Sequence, residues 1–233
     1  METAVSKQVT DARPTLTSMG PSTPRSGPLQ PGWLASIPAI SAGAFAVLYA
    51  LSAWLYPGGT WDDPKRVGFS LASNYWCDLL DATTYGGHRN PGRPFAIVAM
   101  IVLCTGLSVL WWTVPALFRH APRRGRVVRF AGFASAVSTP LVATHWHDVA
   151  IYTAGAFGIV AFAVTMSAIG NRGGRASSLL AASTLLLALV NFVIWHTRAG
   201  IQFLPILQKA AFVAFLCWIV FTSRRVAGCG PLS

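Results

Sequence analysis

The sequence predicts an all-α membrane protein, a six-transmembrane-helix bundle with its N-terminus and C-terminus both cytoplasmic. Three observations carry that prediction. First, 53% of the 233 residues are hydrophobic and only 11% are charged, against about 25% charged in an ordinary soluble domain. Mean hydropathy is +0.51. So few charges cannot cover a water-facing surface, which places the chain among integral membrane proteins. Second, six apolar segments are long enough to cross hydrocarbon about 30 Å thick, a distance that takes about 20 helical residues. Third, Lys and Arg divide unevenly between alternate connections.

The six segments are residues 37–56, 94–118, 127–144, 149–169, 178–197 and 202–221. The third is the weakest, with Arg129 near its start and the polar THWHD at its end. With the N-terminus inside, the cytoplasmic segments hold twelve basic residues: Lys7, Arg13, Arg25, Arg119, Arg123, Arg124, Arg126, Arg129, Arg172, Arg175, Arg224 and Arg225. The outer segments hold five, Lys65, Arg66, Arg89, Arg93 and Arg198, while Lys209 falls inside the sixth span. Short cytoplasmic loops keep such an excess, and RHAPRRGR between the second and third spans is the strongest signal. The expected organisation is a disordered cytoplasmic tail at 1–36, a bundle at 37–221 with a long outer loop at 57–93, and a cytoplasmic tail at 222–233. The first tail is rich in Pro, Ser, Thr and Gly and has no apolar run, a composition that cannot bury enough surface to fold. The first long apolar run exceeds a signal-peptide core in length and reads as a true span.

Composition also excludes function classes. The net charge of +11 falls mostly where anionic inner-leaflet lipids would attract it. No nucleic-acid-binding motif accompanies it, so the expected partners are membrane lipids and not nucleic acid. The cysteines are Cys77, Cys104, Cys217 and Cys229, with no CxxC pair, which argues against a redox or zinc-knuckle motif. Cys104 and Cys217 lie in apolar runs and act as small hydrophobes. No P-loop, dinucleotide fingerprint or GxSxG elbow occurs.

The scarce titratable groups gather at the expected outer face. Five of the seven acids fall there, Asp62, Asp63, Asp78, Asp81 and Asp148, together with His88, His145, His147 and His196. Charge near membrane depth is costly, so it faces a bundle interior or marks function. The longest connection, 57–93, opens with the turn signal YPGGT and closes with NPGRP, whose prolines restrict the residues before them. A loop of this length is functional or disordered, and this one is too aromatic to be disordered. Its centre, GFSLASNYWCDLLDATTY, is apolar enough to dip back into the interface. As a helix it would put Asp78 and Asp81 on one face at i, i+3, with Tyr75 beside Asp78. Tyr75, Trp76 and Trp146 suit the headgroup level as interface anchors.

Two further clusters complete the face. In THWHDVAIY, His145 and Asp148 would share a helical face, whereas His145 and His147 would share one side of an extended segment. In WHTRAG, His196 and Arg198 lie at the outer end of the fifth span. Lys209 follows about two turns into the sixth, where it either snorkels outward or pairs with an aspartate across the bundle. The candidate polar site is therefore Asp78, Asp81, His145, His147, Asp148 and His196. In a structural role these residues cap helix ends and bond to one another or to headgroups. In a metal site, Asp78, His145, His147 and His196 would hold a divalent cation such as zinc, although neither HExxH nor HxxxH is present and the DxxD of DLLD is a weak signal. A lipid hydrolase would then use one carboxylate as general base on metal-bound water. A third reading is a proton-coupled carrier relaying through Asp148 and Lys209. The absence of an acid or base at mid-depth in the second and fourth spans counts against it. Trp111 and Trp112 read as packing, as do the small residues Ala154, Gly158 and Ala161 on one face.

The stretch FSLASNYWCDLLDATTYGGHRNPGRPFAI, followed by a His-Asp element at the fourth span, resembles a bacterial domain-of-unknown-function family of six-helix membrane proteins. That family is distantly similar to the DRAM and FGF-receptor-activating-protein-like group. The matching positions are Asn74, Asp78, Leu79, Asn90, Pro91 and His147, while YWCDLLD departs from the family's simpler pattern. The resemblance covers about residues 37–221. It implies a six-helix fold in the bacterial plasma (inner) membrane and no particular reaction. Alkaline-ceramidase-like hydrolases, with His and Asp around zinc, offer only an analogy, because they have seven spans and an HxxxH element. The expectation is a multi-pass plasma-membrane protein that is structural or lipid-contacting, with a lipid hydrolase and a carrier as alternatives.

Overall fold

The computed structural model describes residues 32–118, 120–170 and 175–228. Regular structure there is helical: α1 (Ile37–Trp54), α2 (Arg93–Thr113), α3 (Pro122–Ser138), α4 (His147–Gly170), α5 (Arg175–Thr197) and α6 (Leu204–Ala227). Short 3-10 turns at Gly32–Ala35, Cys77–Leu80, Val114–Phe118, Thr139–Ala143 and Ile201–Phe203 lie between or extend them. Strand-like pairing among the described residues is limited to isolated bridges, Gly58 to Val67 and Thr83 to Arg89.

Five helical stretches are long and apolar enough to cross a membrane: Trp33–Trp54, Arg93–Phe118, His147–Gly170, Ser178–Thr197 and Ile201–Ala227. The third expected span is not among them. Its helix starts earlier, at Pro122, and its first turns carry Arg123, Arg124, Arg126 and Arg129. Proline suits a helix start because its missing N–H is an orphan there anyway. The helix ends at Ser138, and a 3-10 turn holding Pro140 continues it, since proline cannot donate to the α ladder. The sixth helix runs past the expected boundary at 221 to Ala227 and carries Arg224 and Arg225 in its last turn, where the helix dipole favours cations. Most of the expected first tail lies outside the described residues, but Gly32–Ala35 already forms a turn.

Sequential helices run antiparallel. Ser52 Oγ donates to Gly92 O at 2.8 Å where α1 meets α2, and Gly106 meets Ser41 near their other ends. A Cβ on Gly132 would stand 2.1 Å from Trp111, so glycine is what lets α3 close on α2. Of the two tryptophans expected to pack, Trp112 is exposed and Trp111 is not. Trp111 is buried, with its ring 5.9 Å from fully buried Trp218. Phe162 brings α4 to the same point, 4.2 Å from Trp218. Ser135 Oγ donates to Ala154 O at 2.8 Å across the small-residue face of α4. Aromatic pairs of this kind add to the area they bury. The helix α5 turns Leu179, Leu186, Leu189 and Phe192 outward, as a hydrocarbon-facing helix does. Antiparallel order puts residues 55–92, the turn before α4 and the α5–α6 connection at one end of the bundle. The arginines of α3 and α6 stand at the other.

Candidate functional site

The connection between α1 and α2 folds as a cap over its end of the bundle. It is not the helix the spacing suggested. It is a series of turns with one 3-10 turn at Cys77–Leu80. Gly59 sits at φ +90°, and a Cβ on it would lie 2.4 Å from Gly86 N, so this close crossing requires glycine.

Three buried polar side chains hold the cap together. Asn74 Oδ1 accepts from Ser70 N at 2.9 Å, and its Nδ2 donates to Gly59 O and to Asp78 Oδ2, both at 2.9 Å. Asp78 Oδ2 also accepts from Tyr75 N at 2.9 Å. Asn90 Nδ2 donates to Leu79 O and Asp81 O, and Asn90 Oδ1 accepts from Gly92 N at 2.9 Å. All of these but the bond between Asn74 and Asp78 answer a backbone group that burial would otherwise leave unpaired, at about 1–3 kcal/mol per group.

Besides Ser52, four residues of the spans tie the cap down. Lys209 Nζ donates to Asn74 O and, at 3.0 Å, to Pro205 O. It lies 5.4 Å from the centre of the Phe69 ring and 5.5 Å from that of Trp76, within reach of cation–π attraction. The preceding residue, Gln208, accepts from Trp76 N at 3.0 Å. Tyr49 OH donates to Trp76 O at 3.2 Å, and Arg93 Nε donates to Leu80 O at 2.8 Å. Lys209 therefore neither snorkels outward nor meets an aspartate directly. Asn74 stands between it and Asp78, bonded to both.

The electrostatics follow from burial. Asp78 is 2% exposed, and its carboxyl is pushed up to about 6, against the pull of its bonds from Asn74 and Tyr75 N. Removing water from a carboxylate disfavours the charged form. Burial pushes the Cys77 thiol up to about 12, so it is no thiolate nucleophile.

The predicted site residues fall into separate places. Asp78 points into the cap, whereas Asp81 caps the 3-10 turn in extended backbone and is exposed. The shared face expected of them does not form, because the turn ends between them. Burial pushes the Asp81 carboxyl up, and His147 and Arg93 pull it back. Asp148 pairs with its neighbour, Oδ1 to His147 Nδ1 at 3.1 Å, and not with His145, which precedes α4. His196 is held elsewhere, with Nε2 3.3 Å from Tyr152 OH and Nδ1 2.8 Å from Phe192 O. Among the described residues no three His, Cys, Asp or Glu side chains converge on a point where a metal could bind. The quartet Asp78, His145, His147 and His196 is thus not assembled. Of the expected anchors, Trp146 is exposed and Tyr75 half-buried. Trp76 instead packs inward against Tyr49, Phe69 and Phe212. Asp148 and Lys209 have separate partners, so the relay proposed through them has no direct link.

Sequence reasoning missed Gln208 and Ser52 as anchors of the cap. Gln208 had a signal, since two adjacent polar residues in an apolar span need a reason to be there. It also missed a cleft of about 430 Å³ between α1 and α6, floored by Phe45, Tyr49 and Phe212 and closed at the cap end by Phe69 and Trp76. Comparison with protein-family models, curated proteins and solved structures returns no match to this chain.

Proposed function

We propose that this chain is a six-span protein of a bacterial plasma membrane, related to the six-helix family it resembles, with the cap on the outer face and both ends in the cytoplasm. Its role is structural and lipid-contacting rather than catalytic. One observation carries this reading: Asp78, the buried carboxylate of the cap, is engaged through Oδ2 in holding the cap itself. Asp78 Oδ2 and the side-chain polar atoms of Asn74 and Asn90 already have partners within the loop. A group so engaged is poorly placed to receive a substrate proton.

The sixth crossing is supplied by α3. Its 17 residues give about 26 Å at helical rise, and the 3-10 turn after it adds roughly 10 Å. It packs between α2 and α4, and Arg129, midway along it, lays its guanidinium over Trp112, 4.4 Å from the ring centre. An arginine so placed snorkels along the chain toward the headgroups. The basic residues then fall on the cytoplasmic side.

The test is cysteine labelling in intact cells. Lys65→Cys and Thr144→Cys should react with a membrane-impermeant maleimide, and Arg123→Cys only after permeabilisation. Thr144→Cys sharing the sidedness of Arg123→Cys would remove the α3 crossing. Labelling of Arg123→Cys alone in intact cells would invert the topology.

A further inference from the structure

The cleft between α1 and α6 has no assigned occupant. We infer that it seats one acyl chain of an outer-leaflet phospholipid. This rests on the membrane reading above, because that reading makes hydrocarbon, and not water, the medium at this depth.

The cleft is shaped for such a guest. Its volume of about 430 Å³ falls in the range of sites that bury small ligands, about 300–1,000 Å³. No charged side chain lines it. Room comes from α1, where Ala46, Ala50 and Ala53 recur at helical spacing along one wall. Aromatic rings form the floor and do not collapse into the space, because they are held. Phe45 stacks on Tyr49 at 4.6 Å and on Phe212 at 5.5 Å. Tyr49 is fixed in turn by its bond to Trp76 O at 3.2 Å. A cleft that stays open and empty forfeits the dispersion contacts of its whole lining, so a chain that fills it gains them without paying to rearrange the walls.

Other occupants fit less well. Residues 1–31 are rich in Pro, Ser and Thr and lack an apolar run. A second copy of the chain would need an apolar element slender enough to enter between two helices, and α1 presents the wide indole of Trp54 among the lining residues. A single hydrocarbon chain suits both the volume and the uncharged lining.

The experiment uses the full chain in nanodiscs of phosphatidylethanolamine and phosphatidylglycerol, released into native mass spectrometry. Wild type should retain one phospholipid per chain at activation that strips the rest. Ala50→Trp puts an indole into the cleft and touches none of the bonds that hold the cap, so it should lose that lipid. Val160→Trp, at an exposed position on α4, should keep it. Equal retention by Ala50→Trp and wild type would overturn the seat while leaving the membrane reading intact. So would a two-chain species that only Ala50→Trp breaks. Failure of wild type to enter nanodiscs as a folded monomeric or oligomeric species would instead overturn the membrane reading.

Discussion

Asp78 and Asp148 stand at the same end of the bundle, each followed by an apolar residue, yet they live in opposite conditions. Asp78 is 2% exposed and accepts from Asn74 and from Tyr75 N. The Asp148 side chain is 85% exposed and meets only the neighbouring histidine. The difference lies in what the surrounding chain must bury. The cap crosses over the helix ends and takes its own backbone out of water, so Gly59 O, Ser70 N and Tyr75 N need side-chain partners. The turn before α4 stays at the surface, where water serves those groups. A cluster of polar residues in an apolar chain is thus a mark of buried backbone as readily as of chemistry.

The comparison can be broken or sharpened by substitution, with cap opening read from hydrogen exchange at the Tyr75 and Trp76 amides. The largest effect is expected at Asn74. It is fully buried, and Asn74→Ala removes three bonds at once, for a loss of about 3–5 kcal/mol in the stability of the cap. Next comes pH. The folded cap holds the Asp78 proton up to about 6, against 3.8 for an ordinary aspartate, so the folded form binds it more tightly than the open form. Stability of the cap should therefore be highest below pH 4, fall as pH rises from 4 to 6, and stay level above, a total drop of about 3 kcal/mol. Asp78→Asn keeps an oxygen for both donors and loses the charge, so its profile should flatten to the smaller slope left by Asp81, whose carboxyl is also pushed up. An undiminished slope in that variant would assign the effect to another group. The smallest effect is expected from Asp148→Ala, below about 0.5 kcal/mol, as for other exposed pairs.

Much of this was legible in the residues. Five long apolar helices follow from the cost of unpaired backbone in hydrocarbon, which forces the pattern into the sequence. The third helix was placed late by the same rule, because Arg123, Arg124 and Arg126 belong to its first turns but read as loop. Within the cap, the scarcity of Asp78 and Asn74 in apolar surroundings marked them as important, but their partners did not follow from spacing. Lys209 reaches Asn74 across 135 positions and Gln208 reaches Trp76 across 132. Contacts that distant leave no local periodicity to read. The i, i+3 spacing of Asp78 and Asp81 misled because a 3-10 turn ends between them, and Trp76 turned inward because Tyr49, Phe69 and Phe212 offered it an aromatic bed.

The central claim is that the cap is a fixed scaffold locked by Asn74, Asp78 and Lys209. It is tested most directly by the exchange rate of the Tyr75 amide in the wild-type protein in nanodiscs, with Asn74→Ala beside it. The expected result is protection in wild type close to that of the α2 amides, lost in the variant. Rapid exchange in both would show that the buried carboxylate and its partners do not hold the loop, and the account would fail.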